Sequence, residues 1–439
     1  MKRALALLAL LATPTLSFAQ QLDALVDKEL PSLVETYKKL HAAPELSTQE
    51  AKSSALLAAR LRELGYTVTE RVGKYADPAL TAYGVVAIMK NGDGPLVLVR
   101  SDMDALPVAE QTGLPYASSV HAKSPSGDDV PVMHACGHDV HMTTLMGTAS
   151  MLAQMKDRWR GTVMLVGQPA EEVVKGATAM LNDRLYERFG TPNFAIALHD
   201  SANIAAGKVG YTPGYYMASG DSVNITVRGL GGHGASPQST KDPIVIASQL
   251  VLALQTIVSR ENSPLDPVVV TVGSFHAGTK RNIIPDEAQL LLTVRTYKPE
   301  VRQRVLAAIE RTARGVAIAA GVPEDRMPIV DVLTTETVQS TYNDPALTER
   351  LAKSLRPVLG DGNVIVMDPL MVSEDFGLFG VNRTIPTAML SLGAVDPVKI
   401  AAGGPLPSLH SSKFAPLPEP TLRTGVRTLT TMVMELLKK

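Results

Sequence analysis

Apolar side chains at Leu22, Leu25, Val26, Leu33, Val34, Tyr37 and Leu40 recur at the three-and-four spacing of a helix with one buried face. Ser47, with Glu50 three positions on, has the form of a capping box and predicts a second helix that Gly65 ends. Strand-like runs follow at 67–72, 84–90 and 96–99, the last two separated by the turn Asn91-Gly92-Asp93-Gly94. A helix is predicted over 141–154, then strands at 162–166 and 194–198. The layout is α/β, built on a mainly buried mixed sheet.

The rhythm changes between 219 and 341. There the pattern reads strand (222–227), helix (242–258), strand (268–273), strand (288–296), helix (300–320), strand (329–335). This βαββαβ order is the ferredoxin-like pattern and can close as a unit of its own. After residue 342 the mixed α/β pattern returns, with a strand at 388–392. The expected organisation is therefore a catalytic domain in two pieces, 20–218 and 342–439, with a smaller domain at 219–341 set into it.

Composition changes this picture little. With 439 residues, 45% of them hydrophobic and 19% charged, the chain can bury two cores. A formal net charge of -1 gives no reason to expect nucleic acid or an anionic membrane as partner. The start is distinctive: Lys2-Arg3, an apolar run over 4–12, then Ser17-Phe18-Ala19. This describes a secretory signal peptide over 1–19, cut after Ala19, and predicts a periplasmic or secreted protein. The apolar run is too short to span a bilayer comfortably, so no stable membrane span is expected.

Three apolar runs each lead into a polar cluster: Arg100-Ser101-Asp102-Met103-Asp104, Gln168-Pro169-Ala170-Glu171-Glu172, and His199-Asp200. Ligands in open α/β sheets bind outside the carboxyl ends of strands, so the clusters should converge on one crevice. Cys136, the single cysteine, and His138 stand two residues apart on a loop that Gly137 lets bend tightly. With Glu172, His199 and His410 they form a mixed sulfur, nitrogen and oxygen set. Five candidates exceed what one tetrahedral ion needs and fit two ions sharing one ligand, the Cys136 thiolate. Of Glu171 and Glu172, one ligates and the other accepts a proton from a metal-activated water. Asp104 is expected to orient a ligating imidazole. His134 and His141 are read as supporting or structural, and His41, His121 and His276 receive no assignment.

These residues resemble a known family. His-Ala-Cys-Gly-His-Asp at 134–139, Arg-Ser-Asp-Met-Asp-Ala-Leu-Pro at 100–107, Gln-Pro-Ala-Glu-Glu at 168–172, Gly-Gly-His-Gly-Ala at 231–235 and Ser-Glu-Asp-Phe at 373–376 are its motifs. Together they look like the co-catalytic metallopeptidases that include aminoacylases, carboxypeptidase G and auxin-conjugate hydrolases, in their amidohydrolase branch. The resemblance implies a zinc-exopeptidase-like catalytic domain with the inserted domain as a lid, which in many relatives mediates dimerisation. It implies that Cys136, His138, Glu172, His199 and His410 bind two divalent ions, zinc or manganese with cobalt as a further option. It also implies Glu171 as general base and acid, His233 as an oxyanion stabiliser, and Asn282 and Arg295 as holders of the substrate carboxylate. Gln238, the 118–132 loop and the Gly- and Pro-rich 401–408 stretch depart from the family pattern and leave acyl preference open.

The expected reaction is hydrolysis of the amide bond of an N-acyl amino acid by metal-activated water and a glutamate base. A carboxypeptidase or dipeptidase acting on short peptides shares every residue named. A periplasmic binding protein without turnover and a single structural zinc fit less well, because the base and the full ligand set are present.

Overall fold

The computed structural model describes residues 17–438. The expected signal peptide lies largely outside the described residues. Within them, Ser17 and Gln20 cap each other reciprocally at the head of helix Phe18–His41, whose Leu22, Val26, Leu30, Leu33, Tyr37 and Leu40 are buried.

The capping box expected at Ser47 and Glu50 does not form. Helix Ala51–Glu63 has Glu50 at its N-cap with no side-chain capping bond. Ser47 Oγ instead donates to Asp104 Oδ2 at 2.6 Å, and Glu50 Oε1 accepts from the backbone N–H of Thr48 and Ala170. Long-range partners outcompete the local cap.

Eight strands form one mixed sheet in the order Thr67–Val72, Gly84–Asn91, Gly161–Gln168, Leu96–Asp102, Phe194–Ala205, Thr387–Val395, Val209–Tyr211, Val364–Val366. Its centre is parallel: Leu96–Asp102 pairs in parallel with both neighbours, as does Phe194–Ala205 with Thr387–Val395. Alternation along the strands divides the interior in two. Val97, Val99, Val163, Leu165, Ile196 and Leu198 face one core, whereas Leu98, Met164, Val166, Ala195 and Ala197 face the other.

Helix His138–Gln154 fills the first core, with every residue from His138 to Leu152 buried. It begins three residues earlier than the sequence pattern indicates, because the site loop turns straight into it at Gly137. Helix Pro418–Leu436 approaches it closely. A Cβ on Gly147 would stand 2.5 Å from Val426 Cγ2, and one on Gly425 would stand 2.8 Å from Thr144 Oγ1. At that contact the two helices meet through glycine. Each Leu-sized side chain buried here contributes about 1.5–3 kcal/mol.

The inserted segment forms a separate four-stranded antiparallel sheet, ordered Val268–Ala277, Glu287–Thr296, Ser219–Arg228, Ile329–Val332. Numbered along the chain this is 2-3-1-4, the ferredoxin-like arrangement. Helices Pro243–Thr256 and Pro299–Ala319 close its core around Val223, Ile225, Leu250, Leu290 and Ile309. Helix 243–261 is apolar enough to cross a membrane by length and composition. Its Ile246, Ala247, Leu250 and Leu254 instead face this core. The chain enters and leaves through Gly214–Met217 and Thr341–Asn343, which pair antiparallel as a two-stranded hinge.

Candidate metal centre

The polar strand ends meet on one side of the large sheet. Strand Phe194–Ala205 runs well past the predicted end at 198, since Ser391 and Leu392 of the next strand pair with His199 and Asp200. Those two residues are thus held by a ladder rather than a loop. Gly137 adopts φ 75 at the N-cap of helix His138–Gln154. A Cβ there would lie 2.0 Å from Asp200 Oδ2, so both backbone and space demand glycine.

The donor atoms converge around Cys136. Those of Cys136, His138 and His199 lie within 4.8 Å of one another, and so do those of Cys136, Glu172 and His410. Cys136 Sγ is 3.6 Å from His199 Nε2, and His410 Nε2 is 3.4 Å from Glu172 Oε2. His138 Nε2 stands 3.8 Å from Glu172 Oε1 and 3.9 Å from Glu171 Oε2. His410 arrives from a distant loop with φ 64, its N–H donating to Ala135 O at 2.8 Å.

Asp104 organises this arrangement. Its Oδ1 accepts from the backbone N–H of Glu171 at 3.1 Å and lies 3.4 Å from His138 Nδ1. Its Oδ2 accepts from the N–H of Glu172 at 3.0 Å. Further support comes from His141, expected from the sequence only as a supporting or structural residue, and from Asp102 and Asp200. His141 Nδ1 is 2.6 Å from Asp102 Oδ1, and His141 Nε2 accepts the Asp200 N–H at 2.9 Å. His141 follows His138 by one helical turn, and that spacing was the available signal. His134 is wholly buried, and neither of its ring nitrogens has a hydrogen-bond partner.

The residues fit a divalent cation. Both ring nitrogens of His138 and Glu172 Oε1 are buried without a hydrogen-bond partner among the described residues, a costly condition that a cation would relieve. Burial and the neighbouring Glu172 and Glu171 carboxylates push the Cys136 thiol well up. Burial, Glu374 and Glu172 likewise raise Glu171, and burial takes Glu172 up to about 7 against the pull of His138. Burial opposes a charge on His138, yet Asp102 and Asp104 outweigh it and raise its pKa. Crowded carboxylates of this kind are what a bound metal neutralises.

His233, Asn282 and Arg295 lie in the inserted domain. His233 and Asn282 adjoin each other, with Gly234 N–H donating to Asn282 O at 2.9 Å, and both are exposed. Arg295 Nη1 donates to Ser373 Oγ, across from the inserted sheet to the large domain. Ser373 precedes Glu374, which binds Arg100 in the large domain. Gln238 sits in the short turn Pro237–Ser239.

Residues 98–435 match the family described as Peptidase family M20/M25/M40. The hippurate hydrolase of Campylobacter jejuni is 37% identical over 343 residues, 78% of this chain and 83% of that protein. Thermostable carboxypeptidase 1 of Saccharolobus solfataricus is 33% identical, covering 90% of this chain and 92% of its own. Among solved structures, the Bacillus subtilis YXEP protein, described as a dinuclear metal binding peptidase of the M20 family, superposes with a TM-score of 0.74 at 28% identity. The match covers 94% of this chain and 99% of that one. The chain belongs to peptidase family M20/M25/M40, and it is a hydrolase.

Proposed function

We propose that the protein is a metal-dependent amidohydrolase acting on N-acyl amino acids, with two divalent ions per subunit. The observation that carries this reading is that two triads of donor atoms share Cys136, while Glu171 groups with His138 and Glu172 at their edge. Zinc suits the thiolate and imidazoles, and manganese or cobalt suits the carboxylates. Bound ions would supply an activated water and polarise the scissile carbonyl.

The chain's own residues do the rest. Glu171 takes the proton from the attacking water and returns it to the leaving amine. Asp104 fixes the backbone of both glutamates and the His138 ring. His233 reaches the developing oxyanion when the lid closes, and Asn282 with Arg295 holds the free carboxylate. The Lys2-Arg3 leader supports export to the periplasm or the medium. Exposed Val245 and Leu252 on the outer lid helix support pairing of two subunits through the lid.

Purified protein should hydrolyse N-acetyl- or N-benzoyl-amino acids with a kcat/KM well above that for dipeptides. The likeness to a carboxypeptidase supports the second reading, a peptidase of short peptides. A panel in which dipeptides are the better substrates would select it.

A further inference from the structure

A cavity of about 620 Å³ opens between the inserted domain and the large one, and none of the candidate metal ligands lines it. One wall is the segment from Thr296 to Arg302 together with Thr337, and the other includes Leu181 and the turn from Gly377 to Arg383. Among the described residues three cations line the cavity, Lys298, Arg302 and Arg383, and no carboxylate does. Two are already matched from outside. Lys298 Nζ lies 2.6 Å from Asp266, and Arg302 Nη2 lies 2.6 Å from Asp221.

Arg383 makes no ion pair among the described residues. Its guanidinium lies over the Tyr342 ring, 4.0 Å from the centroid, and 5.0 Å from that of Tyr215. An unusual backbone holds it there: Val381, Asn382 and Arg383 have φ of 43, 54 and 66 in succession. L-residues enter this region singly and against a steric cost, least willingly when β-branched like Val381. The turn is closed by Thr384 N–H on Val381 O at 3.2 Å and Ile385 N–H on Gly380 O at 3.0 Å. Strain kept in a folded chain marks functional positions more often than others. Here it fixes one solvent-exposed cation, without an ion-pair partner among the described residues, over an aromatic face.

Helix Pro299–Ala319 begins at the same cavity, and its N-cap Lys298 makes no side-chain capping bond. The first-turn N–H groups of Glu300 and Val301 have no partner within the helix, and the helix dipole adds positive potential there. Tyr297, Tyr342, Leu181 and Leu378 supply apolar surface beside this charge.

We propose that this cavity is a second ligand site, for a small organic carboxylate with a flat apolar body. The carboxylate meets Arg383 and the helix terminus, and the body lies against the tyrosine rings. Both domains contribute walls, so a bound ligand favours the lid orientation that keeps them together. The site is separate from the metal centre and does not rest on the hydrolytic reading.

The test uses metal-loaded, full-length protein and benzoate as probe. Calorimetric titration of Arg295→Ala protein, which lacks the arginine assigned to the substrate carboxylate, should reveal a saturable benzoate site that persists when acetate, the smaller acyl product, occupies the metal centre. In that background Arg383→Ala, and separately Leu181→Trp, which fills the cavity, should weaken the site at least about tenfold. Arg383→Lys should retain part of the affinity. In turnover assays benzoate should lower kcat without raising KM, and Arg383→Ala should abolish that effect while leaving benzoate-free activity unchanged. Unchanged benzoate affinity in both cavity variants, or no saturable site once Arg295 is removed, overturns the proposal. The titration needs no turnover, so its failure is distinct from failure of the amidohydrolase reading.

Discussion

Arg100 Nη2 donates to Glu374 Oε1 at 2.7 Å, with both side chains closed off from solvent. The same guanidinium reaches Asp102 at 2.5 Å and Asp375 at 3.2 Å, and its Nε donates to Gln168 Oε1 at 2.8 Å. One cation therefore ties two strand ends of the metal centre to the 373–376 loop. Arg100→Met would leave three buried carboxylates around an apolar side chain. Breaking a buried pair on one side typically costs about 3–5 kcal/mol. Urea unfolding should register a loss of that size, and a loss under about 0.5 kcal/mol would show that the network does not stabilise the fold.

The convergence of polar side chains on one place was legible in the sequence where strand periodicity and polar strand ends coincide. Asp104, Glu171, Glu172 and His199 were placed by that rule, and the Cys136 loop by the spacing of Cys136 and His138 around Gly137. Residues acting through long-range contacts were not. Ser47 and Glu50 have capping-box spacing, yet Asp104 and Ala170 claim their side chains. His41 carried no local signal, although it is fully buried between Asp139 and Glu110. The Ser-Glu-Asp-Phe motif was visible, but its role depends on Arg100, 274 residues away in sequence.

Glu171 sits 3.9 Å from the His138 ring, and although its carboxylate groups with His138 and Glu172, the triads Cys136-His138-His199 and Cys136-Glu172-His410 supply the five proposed ligands without it. Removing a positioned acid-base group typically costs about 10²–10⁴ in rate. Glu171→Gln should lower kcat by that factor while elemental analysis finds the full metal content. A variant within about tenfold of wild type, metals in place, would remove the base assignment.

His41 Nδ1 lies 2.6 Å from Asp139 Oδ2 and Nε2 3.1 Å from Glu110 Oε1. Burial opposes its charge, but Asp139 and Glu110 together raise its pKa from 6.5 to about 10. The folded state thus holds a proton that the unfolded chain releases. The stabilisation is complete below pH 6.5 and is lost as pH rises toward about 10. Urea midpoints of the wild type should fall across that window. His41→Asn should be less stable at the acid end and should lack most of the slope; parallel curves for the two proteins would refute the link.

Metal removal and return should be coupled to protons, with a definite sign. In the metal-free site burial and neighbouring carboxylates push the Cys136 thiol up, and Glu172 is raised to about 7. Near neutral pH the thiol therefore carries a proton, and Glu172 is partly protonated. A divalent cation takes thiolate and carboxylate, so these protons must leave when it binds. Calorimetric titration of chelator-stripped protein with zinc, run in two buffers of different ionisation enthalpy, should show release of about one proton or more per chain. Apparent affinity should rise between about pH 6 and pH 8, and Cys136→Ser should release fewer protons than the wild type. Equal release by both proteins would mean that the thiol is not a ligand, and the sharing of Cys136 between two ions would have to be abandoned.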